Sequence, residues 1–275
     1  MPPPRHRFAV NLSMLFTELP LLERPAAAAA AGFRAVELWW PWPATPTPEA
    51  RELDALRGAL EDAGTQLVCL NFYAGRLPGP DRGALSLPGA ESGRFRANAA
   101  VAADFAASVG CTALNALYGN RVAGAGPGEQ DALALENLVL AARAAGRVGA
   151  TLLIEALNPV ESPAYPVTRS ARAVELADRV NEASGLGNAR YLMDLYHAAM
   201  AGEDPAAVVS AYGGTHTGHV QLADAPGRGE PGTGTLDVPA LLKRLEQAGY
   251  GGWVGLEYRP SGPSGGAFGW MEGLH

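Results

Sequence analysis

The chain has 275 residues, of which 48 % are hydrophobic and 18 % are charged, and its formal net charge is −7. It has no apolar run of the roughly 18 residues that a membrane helix needs, so we expect no membrane span. The acidic balance and the lack of Lys or Arg runs argue against nucleic acid as a partner, because nucleic acid requires a basic surface. A small-molecule partner is the remaining expectation.

The cysteines and the start of the chain predict a compartment. Cys69 and Cys111 are far apart and form no CxxC pair, which suits a reducing environment and argues against a structural zinc cluster. The opening MPPPRHRFAVNLSMLF has no uninterrupted apolar segment and no small-residue cleavage site, so we expect no secretory signal. The sequence predicts a cytoplasmic protein in which both thiols are buried by packing.

Short apolar runs alternate with longer segments rich in Ala, Leu, Glu and Arg, and the alternation recurs about eight times. The short runs predict strands and the longer segments predict helices. The predicted strands are 8–12, 35–38, 67–71, 113–117, 151–155, 190–194, 218–222 and 253–257. The predicted helices are 19–31, 48–63, 91–109, 129–148, 168–181, 205–212 and 238–248, with a short eighth helix after Ser264.

Eight strand–helix units in series predict an α/β protein with a closed (β/α)₈ TIM barrel. An open doubly wound sheet is the alternative, but no GxGxxG stretch opens an early helix. No low-complexity linker divides the chain, so we predict one domain over residues 1–275.

Almost every predicted strand ends with a polar residue or is followed at once by one. These residues are Asn11, Glu37, Asn71, Asn115, Glu155, Asp194, Gln221 and Glu257. Singly, each could be a helix cap or a turn residue. Together they predict a single site, because the carboxyl ends of all barrel strands surround one cleft.

The last four strands lie in the stretches TLLIEALN, RYLMDLYH, GHVQLAD and GWVGLEYR. Because side chains alternate along a strand, we expect four of their residues to face the barrel axis: Glu155, Asp194, Gln221 and Glu257. Three carboxylates in a partly desolvated pocket repel one another and raise one another's pKa values, so the group needs a cation. We therefore predict a divalent metal ion held by these four side chains.

All four ligand atoms would be oxygens, which favours Mg²⁺ or Mn²⁺ over zinc. Gln221 would supply a neutral oxygen, so the loaded site would carry a formal charge of about −1. Roughly two of six octahedral positions would remain for water or substrate. The alternative is a salt-bridge cluster, which is disfavoured because no basic residue stands at the matching strand ends.

Five stretches spanning almost the whole chain carry a family resemblance: NLSMLFTELPLLERPAAAAAAGFRAVELWWPW, LLIEALNP, YLMDLYH, GHVQLADAPGRGEPGTGTLD and GYGGWVGLEYRP. They resemble the hydroxypyruvate isomerases of the xylose isomerase-like barrel superfamily. The resemblance implies metal ligands at Glu155, Asp194, Gln221 and Glu257, with both glutamates also acting as acid and base. Related epimerases usually have histidine where Gln221 stands. Pro159, where a polar residue is expected, leaves the substrate preference open.

The resemblance implies interconversion of hydroxypyruvate and tartronate semialdehyde, a reaction of glyoxylate metabolism. One carbon-bound hydrogen moves between adjacent carbons, with a cis-enediolate between them. The metal would stabilise the developing oxyanion, while Glu155 and Glu257 would remove and return the proton, in an order that the sequence leaves open. No nucleotide cofactor is required, because the redox change is internal to the substrate.

Further residues are predicted to contact a small hydroxy- or oxo-acid substrate. His197, in the stretch DLYH, is expected in a loop, either near a substrate oxygen or bonded to backbone. Arg228, among the glycines of APGRGEPGTG, is expected to clamp a carboxylate. Glu161 resembles a substrate-contacting position of the epimerases, and Asn71 ends the third strand. The tryptophans at 39, 40 and 42 either wall the mouth or pack beneath its loops.

Three alternatives remain open at this point. A ketose 3-epimerase, or an isomerase of a longer 2-oxo sugar acid, would use the same metal and both glutamates. An endonuclease of damaged DNA would need many histidines and a basic groove, whereas this chain has five histidines and a charge of −7. A metal-ordered sugar-acid-binding barrel without catalysis is disfavoured by the presence of both Glu155 and Glu257. Barrels of this type often associate, so a homo-oligomer is a further expectation.

Overall fold

In the computed structural model, which describes residues 6–272 and residue 274, eight parallel strands close into one barrel. The strands are β1 (Arg7–Asn11), β2 (Ala35–Leu38), β3 (Gln66–Asn71), β4 (Ala113–Asn115), β5 (Thr151–Glu155), β6 (Ala189–Asp194), β7 (Thr217–Leu222) and β8 (Trp253–Leu256). The predicted (β/α)₈ barrel is confirmed. Residues 1–5, 273 and 275, at the ends of the predicted domain, lie outside the described residues.

Helices connect successive strands. They are α1 (Arg24–Ala30), α2 (Ala50–Ala63), α3 (Ala90–Ser108), α4 (Pro127–Arg147), α5 (Ser170–Ser184), α6 (Leu195–Met200), α7 (Pro205–Tyr212) and α8 (Val238–Gln247). Helix α2 begins two residues later than predicted, where the backbone N–H of Glu49 donates to Glu52 Oε2 at 2.9 Å. Within the described part of the chain, no helix combines the length and the apolar character needed to cross a membrane.

The sequence analysis missed helix α6 and overestimated the last helix. Helix α6 occupies the six residues directly after β6, a segment predicted as loop. After Ser264 the chain forms two three-residue 3₁₀ helices, Ser264–Gly266 and Gly269–Met271. Elements of one or two turns leave little periodic signal in a sequence, because a face repeats only once or twice.

The barrel interior is filled beneath the mouth. Leu153 and Leu192 form a buried cluster with Cys69 and Ala113, and both cysteines of the chain are buried free thiols, as predicted. Since side chains alternate along a strand, the residues two positions beyond Leu153 and Leu192 face the same way, which confirms the predicted inward alternation. The filled interior makes a floor, so a site can form only at the carboxyl ends of the strands.

Candidate active site

A cavity of about 790 Å³ opens at the carboxyl ends of the strands. Six of the eight predicted site residues line it: Asn71, Glu155, Glu161, His197, Arg228 and Glu257. The other two, Asp194 and Gln221, are buried and directly opposite each other on β6 and β7. The structure thus brings all eight positions to one end of the barrel.

Asp194 joins strand β6 to helix α6. Its Oδ1 accepts hydrogen bonds from the backbone N–H groups of Tyr196 at 2.8 Å and His197 at 3.2 Å, which caps the helix. Its Oδ2 lies 3.6 Å from His197 Nε2 and 3.7 Å from an Arg228 nitrogen. Burial raises the pKa of Asp194, although Arg228 and the two N–H donors oppose the shift. One oxygen is therefore fixed by backbone, and the other faces the site.

Glu155 ends β5 with one oxygen held and the other open to the site. Asn115 Nδ2 donates to Glu155 Oε2 at 2.8 Å, whereas Oε1 lies 3.8 Å from His197 Nε2. Burial raises the pKa of Glu155 well above its usual value, and the carboxylates of Glu257 and Asp194 raise it further. A carboxyl group in this setting is stabilised by either a proton or a cation.

Glu257 follows β8 and is held by three donors. Its Oε1 accepts from Asn11 Nδ2 at 3.0 Å and from Trp39 Nε1 at 2.7 Å, and its Oε2 accepts from Arg228 Nη2 at 2.5 Å. Burial raises the pKa of Glu257 to about 7, although Arg228 opposes the shift. The two glutamates thus have different surroundings: Glu257 is bonded through both oxygens and Glu155 through one.

Arg228 corrects one premise of the sequence analysis. We expected no basic residue to pair with the three acids, but Arg228 bonds to Glu257 and lies 3.7 Å from Asp194 Oδ2. It belongs to the loop between β7 and α8 rather than to a strand end, and only 12 % of its side chain is exposed. Burial opposes its charge, but the nearby carboxylates raise the pKa of Arg228 overall. One cation leaves two of the three carboxylate charges uncompensated.

Gln221 presents an unsatisfied oxygen. Its Nε2 donates to Glu37 Oε2 at 2.9 Å, whereas its Oε1 is buried and has no hydrogen-bond partner among the described residues. A buried carbonyl oxygen without a partner is destabilising, because it has lost its water without replacement. A cation at this point would satisfy it.

The donor atoms fit a divalent metal ion. One atom each from Glu155, Asp194 and His197 lie within 4.8 Å of one another and could hold an ion. This group shares Glu155 and Asp194 with the predicted set of ligands but has His197 in place of Gln221 and Glu257. The choice between the two sets of ligands therefore depends on whether His197 has a free lone pair at Nε2.

His197 lies in helix α6, not in the loop predicted for it. Its Nδ1 accepts from the backbone N–H of Asn158 at 3.1 Å, and Asn158 Nδ2 lies 2.7 Å from the same atom. These contacts assign the proton of the neutral ring to Nε2. Burial lowers the pKa of His197 well below its usual value, and Arg228 adds to the effect. The ring is a neutral donor whose Nε2–H faces Asp194 and Glu155.

The cavity wall carries further cations. Arg82 donates from Nε to Ser162 Oγ at 2.8 Å, which links the β3–α3 loop to the β5–α5 loop. Arg259 lies 3.5 Å from Glu161 Oε1 at the rim. Both arginines line the cavity together with Arg228. Four glutamates line the same cavity, so its wall carries charges of both signs: Glu18, Glu155, Glu161 and Glu257.

The sequence analysis placed Glu37 at the barrel mouth without giving it a role of its own, and it left the tryptophans undecided. Trp39 lines the cavity and bonds to Glu257, whereas Trp40 and Trp42 pack against each other with ring centroids 5.0 Å apart. Glu37 is buried among site residues although it comes from β2. Gly255 on β8 was the signal in the sequence that could have indicated a buried neighbour such as Glu37, since a glycine within a strand often marks close approach of another group.

Several known proteins are similar to this chain over almost its whole length. The family described as "Xylose isomerase-like TIM barrel" matches residues 25–274. A Streptomyces coelicolor protein named "Putative hydroxypyruvate isomerase" is 70 % identical over 266 residues, which cover 96 % of this chain and 95 % of that protein. The 2-oxo-tetronate isomerase of Cupriavidus necator is 34 % identical over 266 residues, 97 % of each chain.

A solved structure supports the same grouping. The crystal structure described as AP endonuclease, family 2, from Brucella melitensis matches with a TM-score of 0.85 and 33 % identity, covering 97 % of this chain and 98 % of that one. The predicted resemblance to hydroxypyruvate isomerases is confirmed by these matches. The chain belongs to the xylose isomerase-like TIM barrel family.

Proposed function

We propose that the protein is an isomerase that interconverts hydroxypyruvate and tartronate semialdehyde through a cis-enediolate. The observation that carries the proposal is the group of three buried carboxylates beside the Gln221 oxygen, which has no hydrogen-bond partner in the part of the chain that the structure describes. The name of the relative that is 70 % identical supports the same reaction. Ketose 3-epimerization would use similar groups, but the three arginines that line the cavity offer partners for a substrate carboxylate.

Four residues would hold a divalent metal ion, Mg²⁺ or Mn²⁺: Glu155, Asp194, Gln221 and Glu257. Their oxygen donors suit these hard ions. When bound, such an ion would supply Lewis acidity, which acidifies the C–H group next to the carbonyl and stabilises the oxyanion. His197 is left out of the set because its Nε2 carries the ring proton.

Proton transfer is assigned to Glu155 and Glu257. One of them removes the proton from the carbon that bears the hydroxyl group, and the same group or the other one delivers a proton to the neighbouring carbon. The hydroxyl proton passes from the oxygen of the first carbon to that of the second, so that carbonyl and hydroxyl exchange places. The open Oε1 of Glu155 supports this role, since no hydrogen-bond donor within the described residues occupies it. His197 donates from Nε2 to a substrate oxygen and holds it in place.

Arg228 is assigned to the substrate carboxylate. Its Nη2 is bonded to Glu257, but its Nε is buried without a hydrogen-bond partner in the described part of the chain. A free donor beside the acid–base pair suits an anionic group next to the reacting carbons. Asn71 and Glu161, which line the same cavity, would contact the substrate's hydroxyl and carbonyl oxygens.

The proposal also covers the domain organisation, the partners and the cellular location of the enzyme. Residues 1–275 would form one domain, with a small hydroxy- or oxo-acid substrate, no nucleotide cofactor and no nucleic-acid partner. The net charge of −7 supports a small-molecule substrate. The two buried free thiols support a cytoplasmic location, where thiols stay reduced. Association into a homo-oligomer and a place in glyoxylate metabolism rest on the resemblance.

The test is metal-dependent turnover of defined substrates. Metal-stripped protein is assayed with hydroxypyruvate before and after addition of Mg²⁺ or Mn²⁺, alongside a panel of ketoses. We expect activity that depends on the ion and exceeds that on every ketose. Activity confined to ketoses would move the protein to the epimerases. Activity without added metal in the stripped protein would reject the assigned ligands, and metal binding without turnover of any substrate would favour the binding barrel.

A second candidate is an isomerase of four-carbon 2-oxo acids. The relative from Cupriavidus necator is named for such a substrate, and a cavity of about 790 Å³ holds a four-carbon acid as readily as a three-carbon one. The ratio of kcat/KM for 2-oxo-tetronate to that for hydroxypyruvate decides between them. A ratio above one would make the four-carbon acid the substrate.

A further inference from the structure

Glu37 is a fourth buried carboxylate at the mouth of the barrel, and it is 1 % exposed. One of its oxygens contacts His219 Nε2. The other accepts from Gln221 Nε2 at 2.9 Å and from Asn11 Nδ2 at 3.3 Å. Its polar contacts therefore run to other buried residues of the barrel, including the amide of Gln221 and the Asn11 side chain that also bonds to Glu257.

The contact with Glu37 determines which way the Gln221 amide points. A carboxylate only accepts hydrogen bonds, so the NH₂ group of Gln221 must face Glu37. The opposite orientation would bring carbonyl and carboxylate oxygens together. The Gln221 oxygen is consequently turned away from Glu37, where it lacks a partner among the described residues.

The barrel makes room for Glu37 by omitting a side chain on β8. A Cβ atom placed on Gly255 would overlap the Glu37 carboxylate. Gly255 is also directly opposite Gln221 in the pairing of β7 with β8. The space at Gly255 therefore lets a β2 carboxylate cross the interior and reach the β7 amide.

We propose that Glu37 is a positioning residue that orients the Gln221 oxygen toward the metal ion. This inference rests on the proposed function, in which Gln221 is a ligand. It also explains the glutamine at position 221, since an amide can donate to Glu37 and offer an oxygen at once. Groups behind metal ligands commonly change metal affinity by about 10- to 100-fold when they are removed.

The experiment measures Mn²⁺ binding to the full chain by titration calorimetry, with metal-dependent turnover of hydroxypyruvate measured on the same wild-type preparation. Glu37→Met removes the acceptor, and we expect about a 10- to 100-fold loss of Mn²⁺ affinity. Glu37→Gln removes the charge but keeps one acceptor oxygen, and we expect most of the affinity to return. If Glu37→Gln binds as poorly as Glu37→Met, the charge of Glu37 matters rather than orientation, and the inference is overturned.

A double-mutant cycle shows whether Glu37 acts through Gln221. In a Gln221→Met background, Glu37→Met should cost less than about 3-fold further, because there is no amide left to orient. Asn115→Leu is the matched control: it removes the donor to Glu155 and should lower affinity equally with or without Gln221. An equal cost of Glu37→Met in both backgrounds would overturn the inference.

The two hypotheses fail in different ways. Wild-type protein without metal-dependent turnover would reject the proposed function. Wild-type turnover together with normal Mn²⁺ affinity in Glu37→Met would reject only the role of Glu37. Melting temperatures of the metal-free variants, compared at one pH, separate lost affinity from lost folding.

Discussion

The two halves of the barrel contribute different chemistry to the same mouth. Strands β5 to β8 carry the predicted ligands and proton carriers: Glu155, Asp194, Gln221 and Glu257. Strands β1 to β4 and the residues just after them supply groups that hold these ligands: Asn11, Glu37, Trp39 and Asn115. Under the proposed function, the second half would carry the reacting groups and the first half would fix their directions.

This difference predicts a gradient of effects. A residue of the β5–β8 half that transfers a proton cannot be replaced by its neighbours, whereas a holding residue shares its task with other donors. Glu257, for example, keeps two of its three donors when any one is removed. Substitutions should therefore be most damaging among the reacting groups and milder among the holding groups.

The largest effect is expected for Glu257→Gln and Glu155→Gln. Each should lower kcat for hydroxypyruvate by about 10³-fold, because general acid–base catalysis contributes roughly 10²- to 10⁴-fold. The measurement is kcat at saturating metal. Glu230→Gln is the control, since Glu230 bonds to Ser261 in the neighbouring loop and should leave kcat unchanged. Retention of a tenth of the activity would show that the replaced glutamate moves no proton.

A smaller effect is expected for Arg228→Gln. Loss of a charged donor should lower kcat/KM by about 10- to 100-fold, since a hydrogen bond to a charged group is worth roughly 1.5–3 kcal/mol. Arg228→Lys keeps the charge without the planar fork and should recover part of the loss. The measurement compares hydroxypyruvate with a neutral ketose. An equal loss on both compounds would mean that Arg228 does not recognise the carboxylate.

Among the holding groups, Trp39→Phe should lower kcat/KM by about 10-fold, because Glu257 loses one donor and keeps two. Trp40→Phe is a matched control from the same stretch. Its Nε1 donates to the backbone oxygen of Thr45, away from the acids, so activity should be unchanged. Equal activity of both variants would show that the bond to Glu257 does not assist the reaction.

The last effect concerns stability rather than turnover, and it is a dependence on pH. The pKa of Glu257 is raised from 4.5 to about 7, so its contribution is fully present below pH 4.5 and is lost as the pH rises through 7. The change is on the order of 3 kcal/mol. Between pH 5 and pH 8, the melting temperature of the metal-free protein should therefore fall several degrees further than that of the metal-free Glu257→Gln variant. Added Mn²⁺ should restore more stability at pH 8 than at pH 5. Parallel melting curves for both proteins would contradict this.

Much of the fold follows from local sequence patterns. Eight apolar runs, each followed by a helical segment, suffice to predict the barrel, and the polar residues at the strand ends identify the mouth. Period-two alternation also predicts which side chains face inward. These features succeed because each depends on residues close together in the chain.

The parts that the sequence analysis missed depend on distant contacts. The pairing of Arg228 with Glu257 joins a flexible loop to another strand, and the role of Glu37 depends on the closing of the barrel around Gly255. Helix α6 was missed because its six residues leave little periodic signal, and because a ligand role was preferred for Asp194 over that of a helix cap. When one residue has two roles, as Asp194 does, a sequence pattern that explains one role gives no separate indication of the other.

The donors that hold Glu257 lie far away in the chain: Asn11 is 246 residues and Trp39 is 218 residues earlier. Contacts of such separation form only when β1 meets β8, and we expect this step late in folding because it closes the longest loop of the chain. Species that precede this closure cannot contain the complete site. If the proposed site binds its ion only when complete, we expect the ion to slow unfolding while leaving the folding rate unchanged, and thus to lengthen the lifetime of the native protein.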